Sequence, residues 1–169
     1  MFERNAELGG VWSSSRTYPG LRANNSRYSY CYSDFPYPAD VDDFPTAEQV
    51  RAYLHAYSRR FEVAPRIRSS TEVVSVASTP AHGETESGFD VAVRPTAAGG
   101  ISGSHHFDFV AVCNGTFCEP HLPDIPGREQ FAGPVLHSSQ FTDGDLVKGR
   151  RVVVVGAGKS ALDCATFAA

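Results

Sequence analysis

The residues best suited to chemistry lie near the end of this 169-residue chain, in the segment RRVVVVGAGKSALDCA. Glycine at 156 and 158 and alanine at 161 match G-x-G-x-x-[G/A] between a wholly apolar run, Val152 to Val155, and a helical stretch, Ser160 to Ala168. Each position has a physical task in binding a dinucleotide. Gly156 allows the tight turn, Gly158 lets the backbone approach a pyrophosphate, and Ala161 keeps the helix close to the sheet. The amides at the helix start then face the anion, with the helix dipole behind them. The competing reading is a glycine-rich turn that binds nothing. The side chain that chooses between NAD and NADP is expected ~20 residues further on, past Ala169, so the sequence leaves that choice open. Only the first half of a βαβ unit of ~30 residues is present, and the C-terminal end reads as cut.

Other reactive side chains form no comparable pattern. Cys31, Cys113, Cys118 and Cys164 contain no CxxC pair, so neither a zinc site nor a thioredoxin-like dithiol is expected. Cys113 and Cys164 read as core thiols. His105, His106 and His121 fall in loops or at strand edges, and no metal is expected. Asp40, Asp42 and Asp43 read as a solvated face ahead of a helix.

The elements that must position these residues are only partly regular. The first 45 residues, rich in Gly, Ser, Asn, Tyr and Pro, read as ordered irregular loop. A stretch of that length is usually functional, and its aromatics, Tyr18, Tyr28, Tyr30, Tyr32, Phe35 and Tyr37, must pack against something. A helix is expected from about Ala47 to Phe61. Thr46 and Gln49 make a capping box, and Val50, Leu54, Tyr57 and Phe61 recur at helical spacing. Three β-branched runs, Ser70 to Ala77, Phe89 to Arg94 and Phe107 to Cys113, suggest an antiparallel meander over about 66–113. EPHLPDIPG, with three prolines in nine residues, follows Asn114-Gly115 and reads as an extended connector. Asn114-Gly115 is alternatively a hairpin turn, although no second strand follows it directly. Val152 to Val155 suits a buried parallel strand.

Composition narrows the function classes. A net charge of −4, with 15 basic residues scattered along the chain, argues against a nucleic-acid or anionic-membrane surface. No apolar run approaches the ~20 residues of a membrane span. Met1-Phe2-Glu3-Arg4 lacks the zones of a secretory signal, so a cytoplasmic location is expected.

With the glycine loop and these elements in place, the chain resembles the class B flavin-dependent monooxygenases, which include the flavin-containing (N,N-dimethylaniline-type) and Baeyer–Villiger monooxygenases. FAGPVLHSSQF fits their fingerprint F-x-G-x-x-x-H-x-x-x-[F/Y] through Phe131, Gly133, His137 and Phe141, and it precedes GAGKSA at the family's spacing. FERNAELGGVW resembles the segment after the family's second strand, and LRANNSRYSYCYSDFPYP its L-x-x-N followed by SDFP-P. FPTAEQVRAYLHAY resembles its next helix and FVAVCNGTFCEPHLPDIPG its A-T-G-like connector, with Asn114 where the family often has Thr.

The resemblance implies an α/β fold, a partial two-dinucleotide-binding-domain flavoprotein combining a Rossmann-like parallel sheet with an antiparallel β-meander. It implies residues 1–125 as part of an FAD domain, 126–149 as a linker, and 150–169 as the opening of an NADP domain. The implied chemistry is NADPH- and O2-dependent: reduced FAD captures O2 as a C4a-(hydro)peroxide, which oxygenates an amine or sulfide, or a ketone in the Baeyer–Villiger branch. Glu3 resembles the acid that binds the FAD ribose hydroxyls, which a carboxylate accepts well. Gly9, Gly10 and Trp12 resemble the GG-x-W loop beside the flavin, and Val73 the backbone contact to adenine. Gly115 resembles the connector glycine near the cofactor. Asn24, the expected catalytic residue, resembles the asparagine at the reactive face of the isoalloxazine. Gly156, Gly158, Ser160 and Ala161 resemble the NADP pyrophosphate site, with Lys159 replacing a more frequent Asn. His137 is expected to structure the linker rather than to move protons.

The family's first FAD-binding strand, glycine loop and helix have no counterpart ahead of Phe2. The resemblance therefore implies a fragment of a longer protein, homo-oligomeric at full length if at all, that binds FAD weakly or not at all and does not turn over. A disulfide reductase is an alternative enzyme, although Cys113 and Cys118 lie in the connector rather than near the start. A non-catalytic module binding a partner through the aromatic-rich segment is the alternative from another class.

Overall fold

The computed structural model describes residues 1–80, 87–98 and 102–169. They form two compact units, Met1–Leu8 with His55–Gly115, and Gly9–Leu54 with Thr116–Ala169. The helix α1, Ala47–Arg60, contributes to both.

The first unit is built on a three-stranded antiparallel sheet in the order β1 (Thr71–Thr79), β2 (Gly88–Pro95), β3 (Gly103–Phe107). The meander is thus as expected from the β-branched runs, but its third strand is shifted toward the N-terminus. The register explains the shift. Phe107 pairs with Phe89 and β2 begins at Gly88, so residues beyond Phe107 run past the end of their partner. Phe109 and Val112 are consequently 90% and 75% exposed, and Asn114-Gly115 turns into no second strand, with Gly115 at φ +80°. Cys113, expected in the core, is exposed for the same reason. Val91 and Val93 supply the buried side of the sheet. The N-terminal residues join it through a parallel bridge between Phe2 and Arg68, with the Glu3 N–H donating to Arg68 O at 3.0 Å and the Thr71 N–H to Glu3 O at 2.8 Å.

In the second unit, α1 begins where its capping box requires. The Gln49 N–H donates to Thr46 Oγ1 at 3.2 Å, and the Thr46 N–H to Gln49 Oε1 at 2.9 Å. The helix ends at Arg60, one residue short of the expected Phe61. Its buried stripe is Ala47, Val50 and Tyr53, whereas Leu54 is only half-buried. The aromatics of the irregular segment pack on Tyr53, whose ring stacks on Tyr37 at 4.0 Å and lies near Phe35 and Tyr32. The Tyr53 hydroxyl donates to Phe35 O at 2.6 Å and accepts the Tyr32 N–H at 2.8 Å. One phenol thereby satisfies two backbone groups that no sheet or helix provides for.

Arg27 plays a similar part, with Nη1 donating to the carbonyls of Pro38, Ala39 and Val41 at 3.2, 2.6 and 2.6 Å. The acidic cluster is not simply solvated: Asp42 pairs with Arg22 at 2.6 Å, and Asp43 lies 3.6 Å from Arg27.

The second helix, α2, spans Lys159–Ala168. The preceding run, Val152 to Val155, is not the buried strand its composition suggests. Among the described residues it joins no ladder, and Val153 is 83% exposed. An apolar run becomes a buried strand only when another strand satisfies its backbone groups. Among the described residues, no helix is long and apolar enough to cross a membrane.

Candidate functional site

The glycine loop meets the start of α2 in the form that an anion needs. Gly156 has φ +139°, a conformation open to glycine, and a Cβ there would come within 3.1 Å of Ala161 Cβ. The first and third small positions of G-x-G-x-x-A therefore pack against each other. Gly158 is the N-cap in extended conformation, and nothing lies within 4 Å of where its Cβ would be. Its carbonyl accepts the Ala161 and Leu162 N–H groups at 3.0 and 3.1 Å, which leaves the N–H groups of Lys159 and Ser160 ahead of the first intrahelical bonds. No side chain caps this helix, in contrast to α1. Open amides, two small residues and space at Gly158 fit a pyrophosphate.

Two side chains that sequence reasoning missed, Tyr18 and Asp163, meet Ser160 and Lys159 at the same helix start. The buried Tyr18 donates its hydroxyl to Asp163 Oδ2 at 2.9 Å, with Ser160 Oγ at 3.4 Å. Lys159 Nζ pairs with the same oxygen of Asp163. Burial pushes the Tyr18 phenol up to about 12, with the carboxylate of Asp163 adding to the shift and Ser160 opposing it. Further along α2, Phe167 meets Phe141 edge to face at 5.9 Å. Its ring also covers Gly144, where a Cβ would come within 2.6 Å of Phe167 Cζ.

The linker fingerprint acquires a local geometry. His137 caps a short 3-10 turn, Ser138–Gln140, with Nδ1 accepting the Ser139 N–H at 3.2 Å and the Gln140 side chain accepting the His137 N–H at 2.9 Å. An accepting Nδ1 must carry a lone pair, so the ring's proton sits on Nε2. Phe131 folds over Gly133, where a Cβ would lie 2.7 Å from the ring. Phe141 is buried against α2, so the last residue of the fingerprint seats the helix of the glycine loop.

The remaining expected residues divide between the two units. Glu3, Val73 and Gly115 belong to the first. Glu3 Oε1 accepts the Asn5 N–H at 2.7 Å, while Oε2 has no partner among the described residues. Val73 lies at a bulge, with Val73 opposite Val93 and Ser75 opposite Ala92. Such a bulge re-aims the backbone of its strand.

Gly9, Gly10, Trp12 and Asn24 belong to the second unit. Gly9 and Gly10 have φ of +128° and +55°, and a Cβ at Gly9 would meet Ser13 N at 3.2 Å. Trp12 is fixed by its Nε1–H bond to Tyr30 Oη at 3.1 Å and by Arg51, which donates to its carbonyl at 3.3 Å. Asn24 is exposed at a turn bracketed by the Ala23 N–H to Pro45 O and Arg27 N–H to Asp43 O bonds, both 2.8 Å. Its side-chain amide has no partner among the described residues. Those residues contain no cluster of three or more His, Cys, Asp or Glu that would hold a metal ion.

The flavin-binding monooxygenase-like family model matches residues 1–169. The chain belongs to that family. The family is flavin-binding by description, and OTEMO, a solved structure that shares the fold with TM-score 0.74 and 22% identity, is a complex with FAD and NADP. The chain is similar to dimethylaniline monooxygenase (N-oxide-forming) 4 of Mus musculus, 36% identical over 174 residues that cover 97% of this chain and 30% of the relative. Among solved structures it resembles S-allyl-L-cysteine S-oxygenase from Allium sativum, with TM-score 0.80 and 27% identity over 99% of this chain and 42% of that one. Tmm from Pelagibacter sp. strain HTCC7211 shares the fold, with TM-score 0.85 and 23% identity over 99% of this chain and 40% of the other. The chain thus spans about a third of the length of the curated relatives it matches.

The start of α2 fits the pyrophosphate of a dinucleotide. For the FAD pyrophosphate the described residues offer no second open helix start, since α1 is closed by its capping box.

Proposed function

We propose that this chain forms part of an NADPH- and O2-dependent flavin monooxygenase that oxygenates a soft nucleophile, an amine or a sulfide. The observation that carries the reading is the uncapped start of α2, with its two glycines and open amides, seated by the last residue of the linker fingerprint. The relatives' names, an N-oxide-forming enzyme and an S-oxygenase, support the choice of nucleophile. When bound, the nicotinamide and flavin supply hydride transfer and oxygen activation.

The chain's own residues bind and orient. Gly156, Gly158 and the amides of Lys159 and Ser160 take the NADPH pyrophosphate, with Ala161 keeping the loop tight. Glu3 Oε2 accepts ribose hydroxyls of FAD, the Val73 backbone meets its adenine, and Gly9, Gly10, Trp12 and Gly115 let the chain pass close to it. The Asn24 amide, able to donate and accept, serves the reacting centre. Residues 1–125 belong to the FAD domain, 126–149 to the linker and 150–169 to the NADP domain.

The test is a graft of residues 1–169 in place of the matched stretch of a full-length relative. The expected protein retains FAD, consumes O2 with NADPH and forms an N- or S-oxide, and Asn24→Ala abolishes product while FAD stays bound. A graft that held FAD but reduced disulfides without O2 uptake would overturn the reading.

A further inference from the structure

Asp163 Oδ2 is shared by two donors of different character: the buried hydroxyl of Tyr18 at 2.9 Å, and Lys159 Nζ, whose side chain is 38% exposed. Lys159 is the first residue of α2, beside the open amides and the space at Gly158. Its cation is therefore held on a carboxylate at the place where a phosphate would bring a competing negative charge. The Asp163 side chain is only 17% exposed, and leaving such a group without a partner is costly. Lys159 can leave cheaply only if something else stays on Asp163, and Tyr18 is that group.

We propose that Tyr18 is a positioning residue for Lys159: it keeps Asp163 hydrogen-bonded when the lysine moves from the carboxylate to the dinucleotide phosphates, and so lowers the cost of recruiting that cation. The inference rests on the reading of the α2 loop as the NADPH site. It assigns a task to Lys159 and to two side chains outside the glycine motif, Tyr18 and Asp163. Tyr18 touches neither phosphate nor nicotinamide in this scheme and acts only through Asp163.

The experiment is a binding cycle on the 169-residue chain, with NADPH as the probe and its nicotinamide fluorescence as the signal. Tyr18→Phe keeps the ring and removes only the hydroxyl. It is expected to weaken binding about five-fold and to flatten the salt dependence, because the lysine stays on Asp163. In a Lys159→Asn background the same change is expected to do nothing. Asp163→Asn frees the lysine by another route, and is expected to bind NADPH at least as tightly as the parent and to be insensitive to Tyr18→Phe. Equal losses from Tyr18→Phe in the parent and Lys159→Asn backgrounds would mean that the phenol merely supports the helix, which would overturn the proposal while leaving the site intact. A parent chain that bound no NADPH would overturn the site and the proposal together. Thermal melts of each variant identify any that fail to fold, and the Asp163→Asn pair then decides the matter.

Discussion

The Tyr18 hydroxyl donates to the carboxylate of Asp163 across 145 residues of sequence, within a single compact unit. This bond ties the irregular segment that leads to Asn24 to the first turns of the glycine-loop helix. Its loss in Tyr18→Phe is expected to cost about 1 to 2 kcal/mol of stability, measured by urea denaturation at neutral pH.

The same phenol gives the stability a pH dependence at the alkaline end. Burial raises its pKa to about 12 from an ordinary value of 10.0. A group whose folded pKa is raised contributes stability that is fully present below the unfolded value and is lost as pH rises through the folded one. The parent is therefore expected to lose stability from pH 10 to 12 more steeply than Tyr18→Phe. In a tyrosinate absorbance titration, the variant should lack one late-ionising phenol. Identical alkaline profiles would contradict this placement of Tyr18.

Gly156→Ala sets a side chain at φ +139° and against Ala161 Cβ. Strain of that kind costs about 1 to 3 kcal/mol, and an exposed loop relieves it by leaving its conformation. NADPH binding is expected to fall at least about ten-fold, the equivalent of about 1.4 kcal/mol, with little change in the melting temperature. Unchanged affinity would show that the loop's shape is not what the nucleotide reads.

Gly144→Ala drives a methyl group toward the Phe167 ring. Because Phe167 is 44% exposed, the ring can yield, and a loss of about 1 kcal/mol is expected. In a Phe167→Leu background the loss should shrink. Additive effects in denaturation would mean that Gly144 is constrained by something other than this ring.

Tyr53→Phe removes the hydroxyl that serves both Phe35 O and the Tyr32 N–H. It is expected to cost about 1 to 2 kcal/mol and to open the segment around Tyr32 and Phe35 to limited proteolysis. Tyr53→Ala, which also removes the stacking partner of Tyr37, is expected to cost about 3 to 5 kcal/mol.

What the sequence made legible was local. The Thr46–Gln49 capping box marked the start of α1, because both partners lie within one turn. The glycine spacing marked the loop at 156–161, because each glycine answers a backbone requirement at its own position. The meander was visible in its β-branched runs, but its third strand was misplaced, since apolar composition continues to Cys113 while the β2 partner ends at Gly88. Val152 to Val155 failed for a related reason: a run of valines encodes a preference, and a ladder needs another strand. Tyr18, Tyr53, Gly144 and Phe167 were illegible as a group. Their roles depend on partners brought near by the fold, and nothing in an isolated tyrosine or glycine states which carbonyl, carboxylate or ring it will meet.

Arg27, with Nη1 aimed at the carbonyls of Pro38, Ala39 and Val41, makes the order of its loop an all-or-none property. A strand can fray one ladder bond at a time, whereas three carbonyls gathered on one nitrogen are released together when the guanidinium leaves. Because Arg27 also helps bracket the turn at Asn24 through its own N–H, the turn and the residues near 40 should open as one cooperative event. Hydrogen exchange would record that event as a shared rate for the amides of Ala23 and Arg27.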